Sequence, residues 1–267
     1  MNTNLKLYNI LKEEILKNKI KIKKRIKMDE LVQQLLPTIL DEERKTGTKI
    51  LKYINLKNIK FNNQDITYID FTGTNAKINP QKIKDKNMEF AILNGLNFKG
   101  KSFNNVLVCG VNFKGAKNVD LDPQKVLYKT LSKTILNGID FKGKSFDNTN
   151  LNDTDFTGAL NVNLNPQKIQ FMLYAKLSGI DFKEKSFDNA LICGVNFKGA
   201  KNVIINPQKI KFKDLSNTIL KGVDLQNISL HGVKIENTDF EGSINNPLEK
   251  EKDIIKEKTR IIKKTLK

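Results

Sequence analysis

Apolar residues recur every five positions along most of this chain, a spacing that fits neither the 3.6-residue period of an amphipathic helix nor the two-residue alternation of a half-buried strand. The stretch Ala91–Gly115 divides into AILNG LNFKG KSFNN VLVCG VNFKG. The centre of each pentad is apolar (Leu93, Phe98, Phe103, Val108, Phe113), and two places later stands Gly95, Gly100, Asn105, Gly110 or Gly115. Gly and Asn tolerate tight and left-handed turns. The pattern predicts a short extended piece and a turn, repeated.

From Leu51 to Asn245 the chain holds 24 such pentads, with centres at 56–71, 93–113, 136–156, 177–197 and 220–240 in steps of five. Every centre is Leu, Ile, Val or Phe, and together they use 12 of the 15 Phe. With so many rings turned inward, no aromatic residue is expected at the surface in a base-stacking position. Two places after the centre the residue is Gly, Asn or Asp, with Tyr68 and Glu184 as the departures. A longer period overlies the short one: Pro80, Pro123, Pro166 and Pro207 each head a Pro-Gln-Lys string, 43, 43 and 41 residues apart. Repeats of that length mark a solenoid. The pentad register slips between blocks, so the Pro-Gln-Lys segment is expected to be a bulged corner or a single helical turn. Proline's fixed φ and missing N–H do no harm there.

The flanks break the pattern. Leu5, Ile10, Leu11 and Ile15 share one helix face, and Lys17–Lys27 (KNKIKIKKRIK) follows with seven basic residues and no acid. Asp29 suits the N-cap of a helix over Glu30–Leu36, and Pro37 should kink or restart whatever continues to Lys45. At the other end Asn246, Pro247 and Glu249 fit the cap, first and third positions of a helix. Its stripe of Ile254, Ile255, Ile261, Ile262 and Leu266 needs an apolar partner, either the last coil or the same helix of a second copy in a homodimer.

Pentads such as VNFKG, IDFKG and TDFTG resemble the pentapeptide-repeat family over about Leu51–Asn245. The resemblance implies an all-β solenoid, a right-handed quadrilateral β-helix of about nine to ten coils. Four pentads make one square coil, with centres pointing inward. Residues 1–45 then form a basic, mainly helical capping segment, 46–245 the β-helix, and 246–267 a C-terminal helix. Coils stacked at ~4.8 Å leave open edges at both ends that must be covered. Two departures from the family pattern stand out. Lys101, Lys144 and Lys185 occupy the first pentad position, which normally points inward. A bare inward ammonium is too costly, so a local bulge or an outward escape is expected there. Secondly, the family's best-known members, the quinolone-resistance group, are acidic rods that mimic DNA and bind DNA gyrase. Residues 46–245 here carry 28 basic and 18 acidic residues, the wrong sign for that mimicry.

The whole chain has a formal charge of +18, and 44 of its 47 basic residues are Lys. Abundant Lys, Asn and Ile are what an AT-rich genome favours, so the charge reads first as solvated lysine. Its second reading is a surface for a polyanion such as nucleic acid. The candidate contacts are Lys19, Lys21, Lys23, Lys24 and Arg25 in the basic arm, and Lys99, Lys114, Lys142, Lys183 and Lys198, which follow Phe centres outward. Lys82, Lys125, Lys168 and Lys209 recur once per block.

No catalytic, metal or cofactor site is expected. His231 should face solvent, and Cys109 and Cys193 should lie about four coils apart, ~19 Å, beyond disulfide or shared-zinc reach. Asp70, Asp140, Asp155 and Asp181 recur just before their centres, as corner hydrogen-bonding groups do. Glu13 and Glu14 fall where a signal peptide is apolar, no run of 18 apolar residues occurs, and Cys is sparse. These features point to a cytoplasmic protein. The function expected is a non-enzymatic scaffold that binds another protein, with nucleic acid or another polyanion as the alternative partner.

Overall fold

The computed structural model describes residues 28–183, 185–225 and 229–248. The chain divides into two compact units. One ends at Thr130 and takes in Thr134–Phe141; the other takes in Leu131–Lys133 and continues from Lys142. The basic arm around Lys19–Arg25, the apolar stripe Leu5–Ile15, Glu184, Ile228 and the stripe Ile254–Leu266 lie outside the described residues.

In each unit the pentads wind into a parallel β-helix. In the first, Asn87 pairs with Leu107, Ile92 with Asn112, Asn97 with Lys117 and Ser102 with Asp120, all in parallel. Four bridges five residues apart thus join one turn to the next, because four pentads return the chain to the same side. Each piece is too short to form more than an isolated bridge, so the backbone hydrogen bonds divide between those that close a corner within a turn, as Leu96 N–H does on Leu93 O at 3.1 Å, and those that join one turn to the next. Phe98 N–H, for example, donates to Lys117 O at 2.9 Å and Lys117 N–H to Leu96 O at 2.8 Å.

The turns alternate in length. Ile92 pairs with Asn112, twenty residues on, but Asn112 pairs with Ile135, twenty-three on. In the second unit the corresponding steps are Lys176 to Asn196, twenty residues, and Asn196 to Ile219, twenty-three, while Asp155 to Lys176 takes twenty-one. Two successive turns therefore consume 43 residues, or 41 where the long turn is two shorter, which is the Pro-Gln-Lys period. The excess sits in the Pro-Gln-Lys corner and the tight turn after it. In the corner Lys125 N–H donates to Asp122 O at 2.9 Å, the Asp122 carboxylate accepts from Gln124 N–H at 3.0 Å, and Pro123 is buried. The lysine carbonyl takes the N–H of a left-handed Asn one turn earlier: Asn105 to Lys125 at 2.7 Å, and in the second unit Asn189 to Lys209 at 2.8 Å. The glutamine reaches one turn forward, as when Gln81 Nε2 donates to Ser102 O at 3.1 Å and Asn104 O at 2.8 Å. The expected corner is thus a single helical turn clamped from both sides.

The core is the column of pentad centres. Every centre from Leu56 to Leu225 is buried, and only Leu230, Ile235 and Phe240 are half-buried. Ring pairs such as Phe98–Phe103 at 5.1 Å and Phe182–Phe187 at 5.0 Å fill it. The core also holds residues that the pentad count omits, among them Met88, Val126, Leu131, Met172, Ile210 and Leu215. Most were hidden because the residue two places later is neither Gly nor Asn, but Phe90, Tyr128, Lys133, Tyr174 or Phe212; each still adopts positive φ, from 56° to 60°. At the first pentad position buried threonines also serve, satisfying their hydroxyls on the previous turn: Thr154 Oγ1 donates to Leu131 O at 2.8 Å and Thr218 Oγ1 to Ile192 O at 3.2 Å.

One aromatic corner explains a glycine. At Gly110 (φ +69°) an added Cβ would meet the Phe90 ring at 2.3 Å, whereas at Gly95 (φ +79°) it would meet nothing within 4 Å. Gly95→Ala should therefore cost only the left-handed backbone penalty of about 1–2 kcal/mol. Gly110→Ala should cost that plus displacement of the ring. Urea denaturation of both variants checks it, and equal costs at the two positions would leave the ring without a role.

Before the first turn lies helix α1, Met28–Thr46. It begins ahead of the expected start, so Asp29 lies within its first turn and is not the N-cap; its carboxylate accepts from Asn58 Nδ2 at 2.9 Å. Pro37 does not restart the helix, because it is on the exposed face, where the carbonyl that loses its N–H partner can be hydrated. The opposite face, Val32, Leu35, Leu36, Ile39 and Leu40, is buried. Polar groups tie α1 to the first turn of the β-helix: Gln33 exchanges two hydrogen bonds with the Lys60 backbone at 2.8 and 2.7 Å, and Arg44 donates to Asp65 O at 3.0 Å and Thr67 O at 3.1 Å. At the other end, Asn246 caps Leu248 N–H at 3.1 Å as expected.

Candidate functional site

Most polar side chains at the corners are occupied in holding the backbone. Asp70, Asp155 and Asp181 each accept the N–H of the residue two places on, at 2.8–2.9 Å. Asn97, Asn112 and Asn196 do the same for Lys99, Lys114 and Lys198 at 2.9–3.0 Å. These are Asx turns. They fix the backbone of the following residue and leave its side chain to solvent. Lys99, Lys114, Lys142, Lys183 and Lys198 are accordingly all exposed. They do not form one row. Lys99 follows the bridge column of Asn97 and Lys117, and Lys114 the neighbouring column of Ile92 and Asn112. In the second unit Lys183 follows the column of Asp181 and Lys201, and Lys198 that of Lys176 and Asn196.

Lys185 resolves the inward-lysine problem by turning outward. Its Nζ donates to Asn163 Oδ1 at 2.6 Å and Leu164 O at 3.1 Å on the previous turn. Partial burial, helped by the nearby Lys183, pulls its ammonium below the ordinary lysine value. Lys101 and Lys144 are likewise only half-buried.

His231 is exposed. Cys109 and Cys193 form no disulfide and are both half-buried; Cys193 Sγ donates to Ser216 O at 3.3 Å, and burial pushes its pKa up. Among the described residues no group of His, Cys, Asp and Glu could hold a metal ion, and no helix is long and apolar enough to cross a membrane.

Two features were not anticipated. The first is Glu43, which is 6% exposed and whose Oε1 accepts from Leu51 N–H at 2.6 Å. Burial pushes its carboxyl up to about 7, against the opposing pull of the Leu51 and Ile50 amides. It continues the apolar stripe Val32–Leu36–Ile39 at helical spacing, and that placement was the available signal. The second corrects the expectation of no exposed aromatics: Tyr128 is 78%, Phe212 70% and Tyr68 60% exposed. Tyr68 stacks on Phe90, centroids 4.8 Å apart and planes 13° off parallel. Tyr128 and Phe212 stand on the tight turns after the Pro-Gln-Lys corners, between or beside lysines. Beside Tyr128 opens a hollow of about 460 Å³ lined by Asn104, Asn105, Gln124, Lys125, Lys129 and the ring itself.

The family model for pentapeptide repeats matches residues 130–160 and 214–244, with eight copies. Within those spans the centres from Leu131 to Phe156 and from Leu215 to Leu225 are buried, Leu230, Ile235 and Phe240 are half-buried, and most corners are Gly or Asn in the left-handed region. Over those spans the chain carries the repeats of the pentapeptide-repeat family. Its β-helix is the right-handed helix of that family. Among curated proteins none matches. Among solved structures, this pentapeptide-repeat protein is similar to HetL, involved in heterocyst differentiation regulation, from the cyanobacterium Nostoc sp. strain PCC 7120. The identity is 17%, over 76% of this chain and 92% of that one, with a TM-score of 0.30. It is also similar to trypsin-treated QnrB1, a plasmid-mediated fluoroquinolone resistance protein, at 14% identity over 70% and 89% of the two chains, with a TM-score of 0.33.

Proposed function

We propose that this pentapeptide-repeat protein is a non-enzymatic scaffold that binds another protein, working in the cytoplasm. The observation that carries the reading is the use of corner polar groups. Asp, Asn, Ser and Thr side chains are spent on backbone N–H and C=O groups, so what remains outward is a regular lattice of short faces and solvated lysines, suited to contact and not to chemistry. At twenty to twenty-three residues per turn the ladder has about nine to ten coils. Residues 1–45 act as a cap over its first coil, with α1 as the part in contact, and 246–267 act at the far end or as a homodimer contact. The positive balance of residues 46–245, 28 basic against 18 acidic, speaks against mimicry of DNA toward a topoisomerase.

A second reading is polyanion binding, favoured by the exposure of Lys99, Lys114, Lys142, Lys183 and Lys198, with Lys19, Lys21, Lys23, Lys24 and Arg25 as a basic arm. An affinity pull-down from the source cell at low and high salt separates the two. Protein partners that persist in high salt are expected. Recovery of nucleic acid alone, lost with added salt, overturns the scaffold reading. Repeating it without residues 1–45 tests the cap: loss of soluble protein is expected, and an unchanged yield removes the capping role.

A further inference from the structure

We propose that the bulge Leu127–Lys129, and separately its counterpart Lys211–Lys213 in the other unit, binds single-stranded nucleic acid, the aromatic ring stacking on a base and the flanking lysines meeting its phosphates. This rests on the polyanion reading and narrows it to named residues. Tyr128 (φ 56°) and Phe212 (φ 59°) hold a left-handed conformation that Gly or Asn adopts at lower cost and that bulky residues rarely enter. Phe90 and Tyr174 are in the same region, but their rings lie flat on Gly110 and Gly194, so packing offsets the strain. Tyr128 and Phe212 are 78% and 70% exposed and gain little from burial. The exposed Asp85, Lys133, Lys142 and Lys183 share this conformation, so the turn imposes it; what sets Tyr128 and Phe212 apart is a large apolar ring left in solvent beside lysines, which is the pointer to a ligand.

The surroundings fit a nucleotide strand. Lys129 follows Tyr128 and is exposed, and Lys125 lines the same hollow, its Nζ 3.5 Å from Asp122. Phe212 lies between Lys211 and Lys213, and Lys211 Nζ sits 5.4 Å over its ring. The hollow beside Tyr128 is walled by the amide-bearing Asn104, Asn105 and Gln124, a side-chain type that pairs with base edges. A free ring with adjacent lysines is the combination single-strand binders use, stacking being tolerant of sequence. Duplex bases have no free face to offer it.

The test uses the full chain, fluorescein-labelled 20-mers of single-stranded DNA and RNA, the matching duplex and inorganic polyphosphate, by anisotropy at low salt. Single strands should bind more tightly than the duplex. The double variant Tyr128→Asn and Phe212→Asn should weaken single-strand binding about tenfold or more while leaving the salt slope unchanged. Asn tolerates the left-handed turn, so the variant keeps its fold. Because the chain has no Trp, Phe212→Trp supplies a reporter that single strands should quench and polyphosphate should not. If all four probes bind alike and the Asn variant binds as the parent does, the bulges are not the site and only the general polyanion reading survives. Absence of any binding at low salt overturns both.

Discussion

Glu43→Gln is expected to stabilise the junction of α1 with the first turn by about 2–3 kcal/mol at pH 8 and to have almost no effect at pH 4. The Glu43 carboxyl titrates at about 7 in the folded protein, against an ordinary value of 4.5. The folded state therefore holds this proton more tightly than the unfolded chain does. Its contribution is fully present below pH 4.5, is lost as the pH rises through 7, and changes no further above that. That difference is worth about 3 kcal/mol. Gln keeps the carbonyl oxygen that Leu51 N–H needs and cannot ionise. The check is urea denaturation from pH 4 to 8, followed by hydrogen exchange at amides of α1, since repeat proteins need not unfold in one step. The parent should lose stability across that range by more than the variant does; identical pH profiles would sink the idea.

The second large effect lies in the core. Phe103 is 1% exposed and packs between Phe98 at 5.1 Å and Phe113 at 5.5 Å. Backbone bonds to the turns on either side hold its cavity open, so the site cannot collapse. Phe103→Ala should cost about 3–5 kcal/mol. Phe240→Ala, at a half-buried centre, should cost clearly less. Denaturation of the two variants gives the comparison, and a cost at Phe103 no greater than at Phe240 would mean that the centres do not form the core in the way the burial implies.

Much of the fold was legible in the chain because a five-residue period leaves few alternatives. An apolar centre and a Gly or Asn two places later dictate a bend after every short extended piece, and the centres Leu56–Leu225 are buried as the period requires. Where the reading fell short, the cause was side chains that broke the local rule for a non-local reason. Phe90 hid the centre Met88 because a bulky residue at positive φ contradicts propensity; only the neighbouring turn, with Gly110 beneath the ring, makes that residue acceptable. The hydroxyls of Thr154 and Thr218 look unsuited to an inward position until the carbonyls of the previous turn are in view.

The candidate surface divides in the same way. That Lys99, Lys114, Lys142, Lys183 and Lys198 face outward followed from their place after a buried centre. Their distribution over different bridge columns did not, because it depends on how many residues each turn consumes. Lys101, Lys144 and Lys185 were recognisable as misfits by position, but the relief found by Lys185 required Asn163 and Leu164 from another turn.

By itself the sequence determined the repeat, its inward and outward alternation, the corner residues and the positive balance of charge, all consequences of local sterics and of apolar spacing. Tertiary structure decided the alternation of short and long turns, the exposure of Tyr128 and Phe212, and the displaced titration of Glu43. The first two depend on which turn lies above or below a residue, a relation set by hydrogen bonds between positions about twenty apart; the third depends on how α1 packs on the first turn, where Glu43 accepts from Leu51 N–H.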